Sequence, residues 1–325
     1  MLCALLVFTF LCSFLIGSVD ISLITVIDIL RSQFMPVAQY WDNVLTPIMI
    51  DVRLPQIVLS VLVGGALSVS GASYQTVFKN PMVSSDILGV SAGAGFGAAI
   101  TMLNGGGWAE IQLAAFVCGF GAVGIAYGIG AIFGKNNMTI LVLAGVVVGS
   151  FFQALISVVK TVADTESVLP AITFWLMGSL NKGANEDIIA LVPALAISMI
   201  LLFLFRHKID TLAAGDDEAA AMGVNVPLVK GVVIFASTLM TASAVSVAGI
   251  IGWIGMVVPH IARTITGASY SKLLASSFVI GGIFLLLIDD VIRGCFSDLP
   301  LGVLTALIGT PVFVMLLVKT RKEWV

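Results

Sequence analysis

Two places in this chain carry residue types that could do covalent chemistry. Gly89-Val90-Ser91-Ala92-Gly93 spells GxSxG, the pattern of a nucleophile elbow, and His260 could act as its base. An elbow needs a strand before the serine, whereas this segment opens an apolar run of helix length, and no carboxylate or oxyanion partner stands out. Small residues at helical spacing explain the same letters. An intramembrane hydrolase using Ser91 and His260 stays as the remote alternative; it requires that Ser91→Ala abolish activity with the fold intact. Gly134-Lys135-Asn136-Asn137 sets a lysine after a glycine, but GxxxxGK[ST] does not occur, so the chain has no phosphate cradle for hydrolysing ATP. Cys3, Cys12, Cys118 and Cys295 are scattered without a CxxC, and His207 and His260 lie 53 positions apart. Neither a disulfide frame nor a metal site is expected from that spacing. Asp86, Asp289 and Asp290 read as lying near span ends within reach of water, not at the mid-depth where proton-coupling carboxylates stand. The chain is therefore expected to be no enzyme, to need no cofactor of its own, and to take any motive energy from elsewhere.

The elements that must hold these residues are set by hydropathy. Of 325 residues, 59% are hydrophobic and 10% charged, with a mean hydropathy of +1.13. Soluble domains carry about 25% charged residues, so the composition describes an all-α polytopic membrane protein, read as a single domain over 1–325. A net charge of −3 without a basic patch leaves no nucleic-acid signal. Met1–Ile16 lacks the basic leader and cleavage site of a secretory signal and reads as a retained first span. A span needs about 20 mostly apolar residues. Ten runs qualify or nearly do: 1–17, 54–78, 87–103, 109–133, 138–160, 187–205, 230–249, 250–267, 272–292 and 300–318. Residues 18–52 form a polar-aromatic stretch expected to lie on the surface. In 161–186, Pro170 is expected to open a short helix, AITFWLMGSL.

Ten spans bring both ends to one side, and the cations indicate which. With the N-terminus inside, Lys79, Lys135, Arg206, Lys208, Lys230, Arg263, Lys272, Lys319, Arg321 and Lys322 fall inside. Arg31, Arg53, Lys160, Lys182 and Arg293 fall outside. That bias makes both termini cytoplasmic. Ala66-Leu67-Ser68-Val69-Ser70-Gly71 is similar to Ala244-Val245-Ser246-Val247-Ala248-Gly249, and a proline follows each copy by ten residues, at Pro81 and Pro259. The copies cross in opposite directions, the pattern of an inverted repeat over spans two to five and seven to ten.

Between two of these runs stands Leu212–Lys230, LAAGDDEAAAMGVNVPLVK. It is acidic at Asp216, Asp217 and Glu218 and flanked by Arg206, Lys208 and Lys230. Ala219, Ala220, Ala221 and Met222 favour helix, Gly223 can stop it, Asn225 can cap a following helix, and Pro227 suits that helix's first turn. Two short helices outside the bilayer, joined at a glycine, are expected. They serve either as a solvated loop or as a docking surface for a cytoplasmic partner.

Several blocks, in order, decide between these. Arg53-Leu54-Pro55, VGGALSVSGASYQTVFKNPMVSSDILGVSAGA (63–94), WLMGSL (175–180), GDDEAAAMGVNV (215–226), VAGIIGWIGMVVPHIAR (247–263) and DLPLGVLTALIGTPVFVMLL (298–317) resemble the permease of iron-siderophore, haem and vitamin B12 type ABC importers. The resemblance spans about residues 17–320. It implies a homodimer with the pathway on its two-fold axis and two ATP-binding subunits beneath, where ATP and magnesium would be held. It also implies an extracytoplasmic binding protein above, all in a cell membrane with lipid around. ATPase coupling would fall to Leu212, Gly215, Asp216, Asp217, Glu218, Ala221, Met222 and Gly223, within coupling helices at about 212–229. Arg53 and Arg293 stand where the family docks its binding protein. Gln56 replaces a second arginine common there. Asn80, Pro81 and Met82, with Asn137 and Met138, match the cytoplasmic gate. Gln153, Ser157, Thr305 and Thr310 are candidate pathway side chains. The cargo implied is a metal chelate, first a ferric siderophore, with haem, cobalamin and molybdate or tungstate as alternatives. A secondary transporter running on ion gradients is the alternative from another class.

Overall fold

The computed structural model describes residues 1–134, 138–181, 183–296 and 299–321. Among these every regular element is a helix. The apolar α1 (Leu2–Ser13) has only 12 residues, about 18 Å at 1.5 Å per residue against a hydrocarbon core of about 30 Å. Ser22 caps α2 (Leu23–Ser32) by accepting from Thr25 N at 3.2 Å, and its Val26 and Ile29 turn inward. A single turn, α3 (Leu45–Pro47), passes through a π-helical turn, Ile48–Arg53, into α4 (Leu54–Val77). Pro55 follows the π-helical turn directly, inside a helix continuous from Leu45 to Val77. Beyond an exposed turn follow α5 (Val90–Leu103), α6 (Trp108–Gly134) and α7 (Met138–Val162). Then come α8 (Val168–Leu176), α9 (Asn185–Ala214), α10 (Asp216–Ala221) and α11 (Val226–Ala248). The chain finishes with α12 (Ile254–Thr266), α13 (Tyr270–Cys295) and α14 (Leu301–Arg321).

Among the described residues six helices are long and apolar enough to cross a membrane: Leu45–Val77, Trp108–Phe133, Met138–Val162, Asn185–Ala214, Val226–Ala248 and Tyr270–Cys295. Leu2–Ser13, Val90–Leu103 and Leu301–Met315 are shorter apolar helices. The run at 250–267 shrinks to α12 because Gly249, at φ +69°, and the turn to Trp253, at φ +72°, hold its first residues out of helix. The run at 87–103 likewise starts late, at Gly89 with φ +85°.

At the centre stands α4, packed on α13, α11, α12 and α9. Small residues permit it. A Cβ on Gly64 would lie 2.3 Å from Gly281 O, and one on Gly71 would lie 1.8 Å from Gly255 O. Close backbone approach of this kind replaces hydrophobic driving force between helices in lipid. Ser70 adds a bond across the interface, donating to Ser237 O at 3.0 Å. By contrast α6, α7 and α9 expose most of their apolar length, including Phe133, Phe151 and Leu204. Lipid or another chain must cover that surface.

Three parts of the sequence-based outline are revised. α9 runs on to Ala214, so Leu212 is a buried residue of a long helix and not part of a short outer one. The helix after Gly223 is the start of α11, because nothing from Pro227 onward breaks it. α8 begins at Val168, with Pro170 inside its first turn, and stops before Gly178, whose φ of +74° ends it. Asp289 and Asp290 are also corrected: both are buried, Asp289 fully, so water does not reach them. Asp86 is exposed.

Candidate functional site

The two ends of the helix bundle hold different chemistry. At one end Ala219, Ala220 and Ala221 make α10 a compact turn, and Gly223 at φ +79° closes it. Val224 N donates to Ala219 O at 3.0 Å and Gly223 N to Ala220 O at 2.9 Å. This is the glycine-terminated pairing that satisfies a helix's last carbonyls. Asn225 Oδ1 then accepts from Leu228 N at 3.1 Å and starts α11. Ala219 is buried against the core together with Leu212, while Asp217, Glu218, Ala221, Met222 and Gly223 are exposed. Gly215 leaves room for the Glu218 carboxylate, which any side chain at 215 would strike.

Asp216 differs from its two acidic neighbours. Its carboxylate pairs with Lys230 Nζ on α11 and lies 3.2 Å from Lys79 Nζ in the turn after α4. Partial burial alone would raise its pKa. The hydrogen bonds and charges of Lys230 and Lys79 outweigh that and hold the carboxyl below its ordinary range. One side chain thus ties α10 to the end of α4 and the start of α11.

That end also carries the proposed gate positions. Asn80 Oδ1 accepts from Met82 N at 2.9 Å, and Asn80, Pro81 and Met82 are exposed beside Lys79. Met138 packs on the cluster containing Tyr74 and Val83. Asn137 lies outside the described residues. Of the pathway candidates, Gln153 and Ser157 on α7 and Thr310 on α14 are exposed, whereas Thr305 is buried and donates to Gly302 O at 3.0 Å.

At the opposite end Arg53 and Arg293 line a recess of about 200 Å³ with Gln56 and Asn181. Both guanidinium groups are largely buried, 4% and 9% exposed, and both are engaged within the chain. Arg53 donates to Phe14 O at 2.8 Å and to Val19 O. Arg293 Nε lies 2.8 Å from Asp289 Oδ2, and its Nη2 donates to Ser13 Oγ at 2.6 Å and to Asp290. Gln56 Nε2 donates to Asp289 Oδ1 at 2.9 Å. The arginine forks therefore fasten the end of α1 and the chain leaving it to α4 and α13. Sequence reasoning missed this buried acid pair, although an arginine three and four positions after two aspartates on one helix was a visible signal.

Ser91 opens α5, which packs on α6 and α7, and is preceded by a turn; His260 lies on α12, which packs on α4 and α13. The nucleophile-elbow geometry is not formed. Among the described residues no group of three or more His, Cys, Asp or Glu side chains could hold a metal ion.

Comparison with known proteins places the whole chain in one family. The FecCD transport family matches residues 5–319. The molybdate import system permease MolB of Haemophilus influenzae is 34% identical over 283 residues, covering 86% of this chain and 84% of that protein. An iron chelatin transport system permease of Helicobacter pylori strain 26695 is 38% identical over 283 residues, covering 85% of this chain and 84% of that one. A solved structure described as an inward-facing conformation of a metal-chelate type ABC transporter aligns with a TM-score of 0.87 at 32% identity, over 98% of this chain and 97% of the other. The chain belongs to the FecCD transport family and is the membrane permease subunit of an ABC importer.

Proposed function

We propose that this permease carries a ferric siderophore into the cytoplasm as one half of a homodimer, driven by two ATP-binding subunits that grip α10. The α10 geometry carries the reading. A six-residue helix exposes Asp217, Glu218, Ala221 and Met222, while Asp216 ties its base to α4 and α11. A helix in a groove of a partner is an ordinary recognition mode, and a base tied to two core helices transmits a push instead of absorbing it. ATP-driven closure of the partners moves α10, and the packed helices rock between outward and inward openings. The iron chelatin permeases of Helicobacter pylori, 38% identical to this chain, support ferric cargo.

Ten crossings with both termini cytoplasmic follow if the three shorter apolar helices and α12 complete the count. The inverted repeat gains support from order and burial. The two most buried long helices, α4 and α11, are each followed by a short helix, α5 or α12, and then by a long one, α6 or α13. Asn80, Pro81 and Met82, with Asn137 and Met138, form the cytoplasmic gate. Gln153, Ser157 and Thr310, polar and exposed on otherwise apolar helices, face the second copy and the pathway. The extracytoplasmic binding protein docks over the recess holding Arg53 and Arg293, where a carboxylate entering from outside meets two guanidinium forks.

The test is ATP-dependent uptake of a ferric siderophore in vesicles containing the assembled importer, with Asp217→Lys and Glu218→Lys combined. Loss of ATPase co-purification and of uptake is expected. Full uptake with the charges reversed would remove α10 as the grip.

A further inference from the structure

We propose that a second cavity, within a single protomer at the end opposite α10, is a binding site for an aromatic arm of a ferric chelate of low net charge. This rests on the ferric-chelate reading above. The cavity has a volume of about 730 Å³, within the range of small-molecule sites. Its walls are Met102 at the end of α5, Trp108 at the start of α6, Phe174 and Trp175 on α8, and Leu299 before α14. Three aromatic rings in one cavity suit a flat aromatic guest, which they can meet edge-on or stacked.

Charge narrows the guest further. Among the described residues no ionisable side chain lines the cavity; its polar side chains are Ser179 and Asn181. A bare oxyanion or a multiply charged complex would shed its hydration there with only neutral donors, and no opposite charge, to replace it. A neutral aromatic chelate loses little. Trp175 is 8% exposed, and its indole N–H meets no acceptor among the described residues. The indole N–H of Trp108, in contrast, reaches Asp187 Oδ1 at 3.4 Å. The Trp175 N–H is itself closed off from solvent, so it is other atoms of Trp175 that wall the cavity.

The cavity is also firmly built and well placed. Ser179 N donates to Ala248 O at 2.8 Å and Leu301 N to Gly178 O at 2.9 Å, so three chain segments meet beneath it. Gly249 permits that meeting, since a Cβ there would lie 2.3 Å from Trp175 O. Asn181 lines both this cavity and the recess of Arg53 and Arg293, so cargo released over the recess is next to it.

Two neutral complexes with the same metal core isolate the aromatic contribution: iron(III) tris(benzohydroxamate) and iron(III) tris(acetohydroxamate). Equilibrium dialysis of each, labelled with radioactive iron, against the full-length permease in lipid nanodiscs reads the site, with empty nanodiscs as blank. The benzohydroxamate complex is expected to bind saturably and at least about tenfold more tightly than its aliphatic counterpart. Molybdate should not bind. Ala171→Trp, which fills the cavity from α8 without deleting packing, should remove saturable binding. Equal affinity for the two complexes, unsaturable retention as in empty nanodiscs, or unchanged binding in Ala171→Trp would overturn the site. ATP-driven uptake of a ferric siderophore separates the two readings. Uptake without cavity binding sinks the site and leaves the importer; cavity binding without such uptake sinks the ferric-siderophore cargo.

Discussion

Replacing Asp216 by asparagine should cost stability and, more tellingly, coupling. The carboxylate has two partners of unequal weight. With Lys79 it forms a pair half-exposed on both sides, worth under about 1 kcal/mol. Lys230 has a side chain only 6% exposed. Stranding one member of a fully buried pair costs about 3–5 kcal/mol. The 45% exposure of Asp216 lets water replace part of the lost attraction, which brings the expected loss to about 1–2 kcal/mol. Lys230→Met removes the stranded cation, so adding Asp216→Asn to it should cost little; the double-mutant cycle should return a coupling of about 1–2 kcal/mol. The assay is thermal or denaturant unfolding of the purified permease, run beside uptake per ATP hydrolysed in the assembled importer. Asp216→Asn should lower that ratio, because α10 is no longer tied to α4 and α11. The pH dependence has a definite sign. The carboxyl is more acidic folded than unfolded, so its contribution is complete above the unfolded value of about 3.9 and fades as pH falls through the lower folded one. Asp216→Asn should flatten acid destabilisation there; near neutrality it lowers stability but leaves the pH dependence unchanged. An unchanged unfolding midpoint together with an unchanged transport-to-hydrolysis ratio would refute the tie.

Further outcomes follow from the same contacts. Gly71→Val should abolish monodisperse protein on gel filtration, because even its Cβ would sit 1.8 Å from Gly255 O. Gly121→Ala, with nothing within 4 Å, should behave as wild type. Arg293→Ala should destabilise by about 3–5 kcal/mol, since it leaves Asp289 and Asp290 buried without their cation; Arg293→Lys should rescue poorly, lacking the fork. Asn225→Ala should cost about 1 kcal/mol through loss of the α11 cap, read by unfolding. In a background without the four native cysteines, Met82→Cys should react with a membrane-impermeant thiol reagent from the cytoplasmic side, since Met82 is 52% exposed; labelling from the outer side alone would reverse the topology.

Much of the fold was legible because lipid imposes one rule, that long apolar runs become helices. Helix ends were less so. Polar Arg206, His207 and Lys208 suggested that a span ended at 205, but polar residues continue a helix outside lipid. Arg206 does so by donating to Phe203 O at 2.8 Å and stacking its guanidinium over the Phe203 ring. Only Gly215 stops that helix. Gly223 and Asn225 were readable because cap chemistry is local. The Asp216 tie was not, since Lys79 and Lys230 reach it only after three helices have packed. The acids in Asp289-Asp290-Val291-Ile292-Arg293 were taken as wet because they stand near a helix end. In the folded chain Ser13, Gln56 and Arg293 enclose them. The buried arginines show the complementary lesson: Arg53 and Arg293 first serve the chain's own carbonyls and carboxylates, and any docking partner must share them.

The most direct trial of this account is uptake of a ferric siderophore by proteoliposomes containing the permease with and without its ATP-binding subunits, under matched ion gradients. The account predicts accumulation only when the ATP-binding subunits, ATP and magnesium are all present. Accumulation by the permease alone along a proton or sodium gradient would contradict it.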